Sequence, residues 1–339
     1  MLKKPYFIFL SLLLLLFACN SNPWKVDTDE IDLTIDWNRF DLELYERSKA
    51  TFNNEQWIDM QESFPEFTAL YVEKIMRFGS VDKAETFNTM RRFLSDEDMK
   101  TLLSDVAEKF KEGDLESQRN ELTKAFKRYH YHFPERSIPA IRTFISAFTY
   151  STVAAEGLLG VGLEMYMGSD YELYSKIGIP KYKSKNFELE SLTADAVKAW
   201  LISEFEIGSG KNLLENMIFN GKILYLTKAL LPDEAAHHYF KYSYEDLEWC
   251  EKNEKEIWYH FVDMELLHTD DTYKIRKYLG EAPFISGFPE GSPGRVGEWI
   301  GFRIVEAYMK NNENLTLVDL MDELNADKIL QQSKYKPKR

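Results

Sequence analysis

The sequence predicts a mostly helical α+β fold with a small antiparallel sheet and an N-terminal helical region. Three observations predict it. Apolar residues recur at helical spacing through residues 40–133. Two segments rich in aromatic and branched residues, 143–150 and 158–166, are typical of paired strands. A nearly all-apolar helix is predicted over residues 211–231. With 44% hydrophobic residues in a chain of 339, the composition supports a packed core and excludes wholesale disorder.

The charge balance of the chain excludes one class of partner. Lysine and arginine number 42 against 56 acidic residues, so the formal net charge is −14. An acidic surface repels phosphate backbones, and nucleic acid is therefore not predicted as a partner.

The N-terminus has the parts of a bacterial lipoprotein signal. Lys3 and Lys4 precede an apolar run over residues 6–17, which is shorter than the about 20 residues that a spanning helix needs. The run ends in Leu-Phe-Ala-Cys, a small residue before Cys19, as in a lipobox. We therefore predict that residues 1–18 are a signal peptide and that Cys19 is acylated, which makes the lipid bilayer a partner. An ordinary secretory signal or an uncleaved anchor is the alternative.

The mature chain is predicted to contain one main domain. Residues 19–30 are a polar tether, and residues 31–328 form the domain. Its helical part covers about 40–133, and its strand-and-helix part covers about 140–328. Residues 329–339 form a basic tail, of which residues 331–339 are predicted to be disordered.

Glycines mark two helices that are predicted to pack closely. Gly221 lies in the middle of the helix over 211–231, where glycine costs about 1 kcal/mol relative to alanine. The last strong helix begins near Pro293 and carries Gly297 and Gly301 one turn apart. We expect both helices to approach another backbone at these glycines.

A further long helix is predicted from Ser243, as its N-cap, to about residue 267. Cys250 lies within it. A lone thiol in an oxidising envelope is usually buried, so we predict a packing role for Cys250 rather than a nucleophilic one.

One segment resembles a zinc motif. Residues 233–237 read Asp-Glu-Ala-Ala-His and differ from HExxH only at the first position. A zincin needs two imidazoles four residues apart with the glutamate between them, and here Asp233 replaces the first imidazole. The segment is predicted to be a surface turn. A zinc peptidase that uses Glu234 and His237 with ligands elsewhere is kept as the alternative function.

Several segments together resemble the GldB family, gliding motility lipoproteins of the Bacteroidetes. The resemblance is carried by the lipobox at Cys19 and by residues 35–41, 162–168, 220–225, 231–233, 256–258 and 292–301. It implies a lipid-anchored envelope protein that supports the gliding machinery and its associated protein-secretion system through other envelope proteins. It assigns no enzymatic activity. The periplasmic face of the outer membrane is the expected location, with the inner membrane left open.

The layout also resembles a zinc-peptidase, or zincin-like, fold. In that comparison residues 221–225 occupy the position of the HExxH motif. Gly221 cannot bind a metal, Lys222 cannot act as a carboxylate base, and Tyr225 is a poor zinc ligand. The resemblance therefore implies a degenerate metallopeptidase with no catalytic residue, no metal ligand and no cofactor.

Overall fold

The computed structural model describes Trp24, residues 26–205 and residues 210–337. Helices make up most of these residues, and four short strands form one sheet, which confirms the mostly helical α+β prediction. Buried side chains from Ile35 to Ile329 form one continuous hydrophobic cluster. Among the described helices, none is both long enough and apolar enough to cross a membrane.

The first third of the chain is helical, as its periodicity predicts. Aromatic rings fill the interior of this region: Phe40 contacts Phe64, Phe67 and Tyr71 at centroid distances between 5.0 and 5.5 Å. The helices are α1 (Phe40–Ser48), α2 (Asn54–Ser63), α3 (Pro65–Leu70), α4 (Ala84–Ser95), α5 (Glu97–Lys109) and α6 (Glu116–His132), and a π-helical turn, Tyr71–Ile75, continues α3.

The sheet is mixed, and the prediction of an antiparallel sheet is wrong for two of its three pairings. Its strands are β1 (Trp37–Arg39), β2 (Ala140–Phe144), β3 (Thr152–Ala155) and β4 (Leu158–Gly162), in the order β1-β2-β4-β3. Strands β1 and β2 are parallel, β2 and β4 are parallel, and only β3 and β4 form an antiparallel hairpin.

The difference arises because the first predicted strand ends early. Strand β2 stops at Phe144, and the chain then turns through Ala147 and Phe148, which have φ values of 53° and 64°. This left-handed turn reverses the chain. As a result β3 is the hairpin partner of β4, and β2 pairs with the opposite edge of β4. All five residues of β4 are buried, as expected of an inner strand.

The rest of the chain consists of helices around this sheet. They are α7 (Glu172–Lys176), α8 (Lys181–Ser184), α9 (Leu192–Glu204), α10 (Leu213–Leu230), α11 (Ala236–Phe240), α12 (Tyr244–Lys252), α13 (Glu254–Asp263), α14 (Thr272–Leu279), α15 (Val296–Asn311), α16 (Leu317–Asp322) and α17 (Ala326–Ser333), with 3₁₀ turns at Leu163–Tyr166 and Leu189–Ser191.

Helices α10 and α15 approach each other at their glycines, as predicted. A β carbon placed on Gly221 would lie 2.3 Å from the carbonyl carbon of Gly301. A β carbon on Gly301 would lie 1.9 Å from the carbonyl oxygen of Met217. No side chain fits in this space, so the two backbones are in direct contact.

Contacts further along show that α10 and α15 run in the same direction. The rings of Tyr225 and Phe302 are 6.4 Å apart, and Lys228 Nζ lies 2.8 Å from Glu306 Oε1. The start of α15 therefore lies beside the first half of α10, and both helices end at the same side of the molecule.

The long helix predicted from Ser243 to about residue 267 is divided in two at Asn253. Ser243 does cap its first part, with a reciprocal hydrogen bond to Asp246. The second part begins with Glu254, a buried carboxylate that accepts hydrogen bonds from Arg303 Nε at 3.1 Å and Tyr335 Oη at 2.8 Å. These partners fix the direction of α13.

The same contact corrects the prediction for residues 331–339. This end of the chain is predicted to be disordered, but α17 continues to the fully buried Ser333, and the Tyr335 hydroxyl donates to Glu254. These contacts hold the end of the chain against the core; Lys338 and Arg339 lie outside the described residues. The zincin-like likeness is not established by this architecture and stays a prediction.

Candidate functional site

Two of the segments that carry the GldB resemblance are linked through Asp195 and Lys241. Tyr166, from residues 162–168, donates its hydroxyl to Asp195 Oδ2 at 3.0 Å. Lys241 Nζ lies 2.7 Å from the same oxygen. Asp195 is buried on α9, so a phenol and an ammonium group compensate the cost of removing its charge from water.

Lys241 connects this carboxylate to the segment 292–301. Its backbone has a φ of 57°, in the left-handed region, where it ends α11. Its carbonyl oxygen accepts hydrogen bonds from Asn186 Nδ2 at 2.9 Å and from the guanidinium of Arg295. The carbonyl thereby links α8, α11 and the start of α15.

Arg295 is held in place at both its backbone and its side chain. It precedes α15 with a φ of 58°, and its amide donates to the Gly280 carbonyl at 3.1 Å. Its guanidinium also lies over the ring of Tyr242, 5.4 Å from the centroid, and the Tyr242 hydroxyl donates to the Gly294 carbonyl at 3.0 Å. Such a group is fixed before any ligand arrives.

Arg295, Lys241 and Tyr242 line a shallow, solvent-open cleft that encloses only about 20 Å³, which we call the Arg295 cleft. Charges of both signs lie along it. Lys185 pairs with Asp246, and the carboxylate residue Glu281 also lines the cleft. The lining residues are Tyr182, Lys185, Asn186, Lys241, Tyr242, Asp246, Glu281, Ala282, Pro283, Pro293, Gly294 and Arg295.

Burial favours the protonated forms of Tyr242, which lines the cleft, and of its neighbour Cys250. Burial raises the pKa of the Tyr242 hydroxyl well above its usual value, and burial also raises the pKa of the Cys250 thiol. Cys250 has no exposed surface. A thiol in this state is a poor nucleophile, in keeping with the packing role predicted for it.

A second buried carboxyl organises the loop after β2. Glu164 Oε1 accepts hydrogen bonds from the amide of Ser146 at 2.6 Å, the Ser146 hydroxyl at 2.8 Å and the amide of Phe148 at 3.1 Å. Its other oxygen, Oε2, has no hydrogen-bond partner among the residues that the structure describes. Burial raises the pKa of Glu164 to about 7, against the lowering effect of these donors. The residue thus holds the left-handed turn in which Ala147 and Phe148 lie.

The segment at residues 35–41 has a structural role. Asp41 is buried and accepts from Arg39 at 2.7 Å and from the hydroxyl of Thr143. Arg39 also donates to the Phe110 carbonyl at 2.8 Å. These bonds join β1, β2 and the end of α5, away from the Arg295 cleft.

The residues of the alternative zinc site do not form a site together. Glu234 Oε1 lies 2.5 Å from Nδ1 of His238 and therefore pairs with His238 rather than with His237. The rings of His237 and His238 meet edge to face, with centroids 4.1 Å apart. His237 and His238 lie on α11, a helix of five residues that follows a turn. Within the part of the chain that the structure describes, no three His, Cys, Asp or Glu side chains are grouped as a metal ion requires.

In segment 221–225, which was compared with the HExxH motif, the polar side chains are bonded to other parts of the protein. Lys222 is buried, and its ammonium donates to the carbonyl oxygens of Met321 and Glu323 at the end of α16. Burial lowers the pKa of Lys222 to about 8. The Tyr225 hydroxyl accepts a hydrogen bond from the indole of Trp24 at 2.9 Å. This donor set does not fit zinc.

Sequence reasoning missed Asp195 and Lys241, which hold the Arg295 cleft together. Neither residue lies in a recognisable motif, and 46 positions separate them in the chain. The predicted lipidation site, Cys19, lies outside the described residues.

Fold and site together define a mostly helical α+β protein with a mixed-charge cleft that is lined in part by the resemblance segment 292–301. A family model described as gliding motility protein GldB matches residues 21–337. The chain belongs to this family, which confirms the resemblance, and is therefore a gliding-motility-related protein of a lipoprotein family. No curated protein and no solved structure matches it.

Proposed function

We propose that this protein is an envelope lipoprotein, anchored through acylated Cys19, that supports gliding motility and the associated protein secretion by binding another envelope protein. It acts without catalysis. The expected location is the periplasmic face of the outer membrane. Family membership supports the link to gliding, and the lipobox supports the anchor.

The binding role is supported by one observation: the charged side chains of the Arg295 cleft are held in place by neighbouring groups. Arg295 and Lys241 are held by backbone carbonyls, a ring and Asp195 rather than aimed at one point where a reacting atom could lie. Fixed charges of both signs at an open rim are suited to an oppositely patterned protein surface. Pre-ordered side chains also lose little conformational entropy on binding.

Lys185 offers the sharpest test, because its side chain is 40% exposed at the rim. Lys176 on α7 is a matched control: it is also an exposed lysine paired with an acid, Glu172, and it lies outside the cleft. The variants Lys185→Glu and Lys176→Glu would be expressed in a gliding strain that lacks its own copy. We expect the first to reduce colony spreading at an unchanged protein level and the second to glide normally.

A photo-crosslinking residue at position 185 tests binding itself. We expect it to capture a discrete envelope protein from native membranes, and the same residue at position 176 to capture none. Normal spreading of Lys185→Glu together with no crosslink from position 185 would contradict a binding role for the Arg295 cleft.

A further inference from the structure

The chain just after the predicted anchor is docked on the folded body. The indole of Trp24 donates to Tyr225 Oη at 2.9 Å and meets the ring of His132 edge-on, with centroids 6.1 Å apart. Four residues later, the buried Thr28 carbonyl accepts from Lys127 Nζ at 3.0 Å. Trp24 and Thr28 are therefore each held beside α6.

These two contacts give the order of Thr28 and Trp24 along α6. Thr28 lies at Lys127 and Trp24 at His132, so Trp24 is the nearer of the two to the C-terminal end of α6. The same end of α6 lies beside the end of α10, because Arg128 donates to the Leu230 carbonyl at 2.9 Å. We call this side, with Trp24 and Tyr131, the α6–α10 end.

The reach of the remaining chain is short. Only five residues lead from Trp24 back to Cys19, which span at most about 18 Å in any conformation. A compact domain of this size has a radius of gyration of about 20 Å. A body held this closely cannot turn its far side toward the membrane to which Cys19 is attached.

The α6–α10 end also carries side chains that suit a lipid interface. Tyr131 is 60% exposed and lies edge-on to His132 at 5.1 Å, and Trp24 is only partly buried. Tyrosine and tryptophan favour the boundary between headgroups and hydrocarbon, because each has an apolar ring and a polar group.

We propose that the α6–α10 end lies against the phospholipid headgroups and that Trp24 acts as the fixed point that orients the body. This inference rests on the proposed anchor at Cys19. Because α10 and α15 run in the same direction, the Arg295 cleft at the start of α15 then faces away from the bilayer. In that orientation it is open to other envelope proteins.

The test measures depth at the two ends of α10. Tyr131→Cys places a label at the α6–α10 end. Tyr273→Cys is the control, because Tyr273 is 77% exposed and lies near the opposite end, where the Leu213 amide donates to Thr269. Helix α10 has 18 residues, so the two ends are about 27 Å apart. The native Cys250 is fully buried and does not compete for label.

Full-length lipidated protein would be placed in phosphatidylethanolamine–phosphatidylglycerol vesicles that contain a nitroxide headgroup lipid. We expect the label at position 131 to lose about half its fluorescence and the label at 273 to keep its own, since the quencher is confined to the headgroup layer. Adding Trp24→Ala should reduce the difference while the protein stays in the vesicle fraction.

The possible failures are distinguishable. Vesicle-bound protein with equal quenching at both positions, or stronger quenching at 273, overturns the orientation and leaves the anchor intact. Protein that stays out of the vesicle fraction overturns the anchor, and the orientation with it.

Discussion

Gly301 on α15 faces the carbonyl oxygen of Met217 on α10 with no room for a side chain. A β carbon at Gly301 would lie 1.9 Å from that oxygen. Gly301→Ala must therefore push the two central helices apart. We expect it to lower the free energy of unfolding by about 2 kcal/mol or more, even after the gain of about 1 kcal/mol in helix propensity. Chemical denaturation of the mature wild-type chain and of the Gly301→Ala variant measures this difference in the free energy of unfolding.

Gly297→Ala is the matched control for this prediction, one turn earlier on the same helix. Its β carbon would lie 2.8 Å from the flexible end of Leu279, which can move aside, and 3.1 Å from the Tyr278 carbonyl oxygen, a much wider gap than the 1.9 Å at Gly301. We expect a clearly smaller loss than at Gly301. Equal effects of the two variants would show that the Met217 contact does not determine the packing.

The buried Glu164 should make stability depend on pH. Its pKa is raised from 4.5 to about 7 in the folded protein, so the folded state holds a proton that the unfolded state has released. The stabilisation is fully present below pH 4.5 and is lost as the pH rises through 7. By linkage, the loss is on the order of 3 kcal/mol.

Glu164→Gln keeps an acceptor for Ser146 and removes the titration. We expect the stability of this variant to fall less than that of the wild type between pH 4.5 and 7, measured by urea unfolding at several pH values. The control is Glu97→Gln, at a carboxyl whose side chain is 87% exposed. A wild-type slope that persists in Glu164→Gln would mean that another group is responsible.

The alternative function makes a prediction about metal. If Glu234 and His237 served a zinc peptidase, protein purified without added zinc would carry about one ion per chain, and His237→Ala would lose it. We expect no stoichiometric zinc, and we expect Glu234→Gln and His237→Ala to support gliding as the wild type does. Metal analysis and a spreading assay decide the question together.

The anchor can be tested in cells by Cys19→Ala. Without the thiol no diacylglyceryl thioether can form, and the acyl chains that hold the protein to the bilayer are missing. We expect the variant to leave the membrane fraction and to spread poorly. A variant that remains in the membrane fraction would indicate a different anchor, such as the uncleaved N-terminal segment.

The sequence predicted the helices best where a single residue has a clear physical meaning. Gly221 and Gly301 predicted close helix contact, because glycine is unfavourable inside a helix unless a neighbour leaves no room for a side chain. Ser243 predicted a helix start. The sheet was predicted less well. Whether β2 pairs with β3 or β4 depends on the left-handed turn at Ala147 and Phe148, and neither residue type signals a positive φ.

The candidate site was predicted only in part. Arg295 lies in a segment that the resemblance singled out, but its partners Asp195 and Lys241 come from α9 and the end of α11. Their contact forms only when the chain has folded, and no short sequence pattern predicts it. The ordered structure of residues 331–337 was missed for the same reason, because the buried partner of Tyr335 is Glu254, 81 residues earlier.

Mass spectrometry of the N-terminal peptide from membrane-purified protein tests the anchored state most directly. We expect a chain that begins at Cys19, with a diacylglyceryl group on its sulfur. A chain that begins at any other residue, or a Cys19 without lipid, would contradict it.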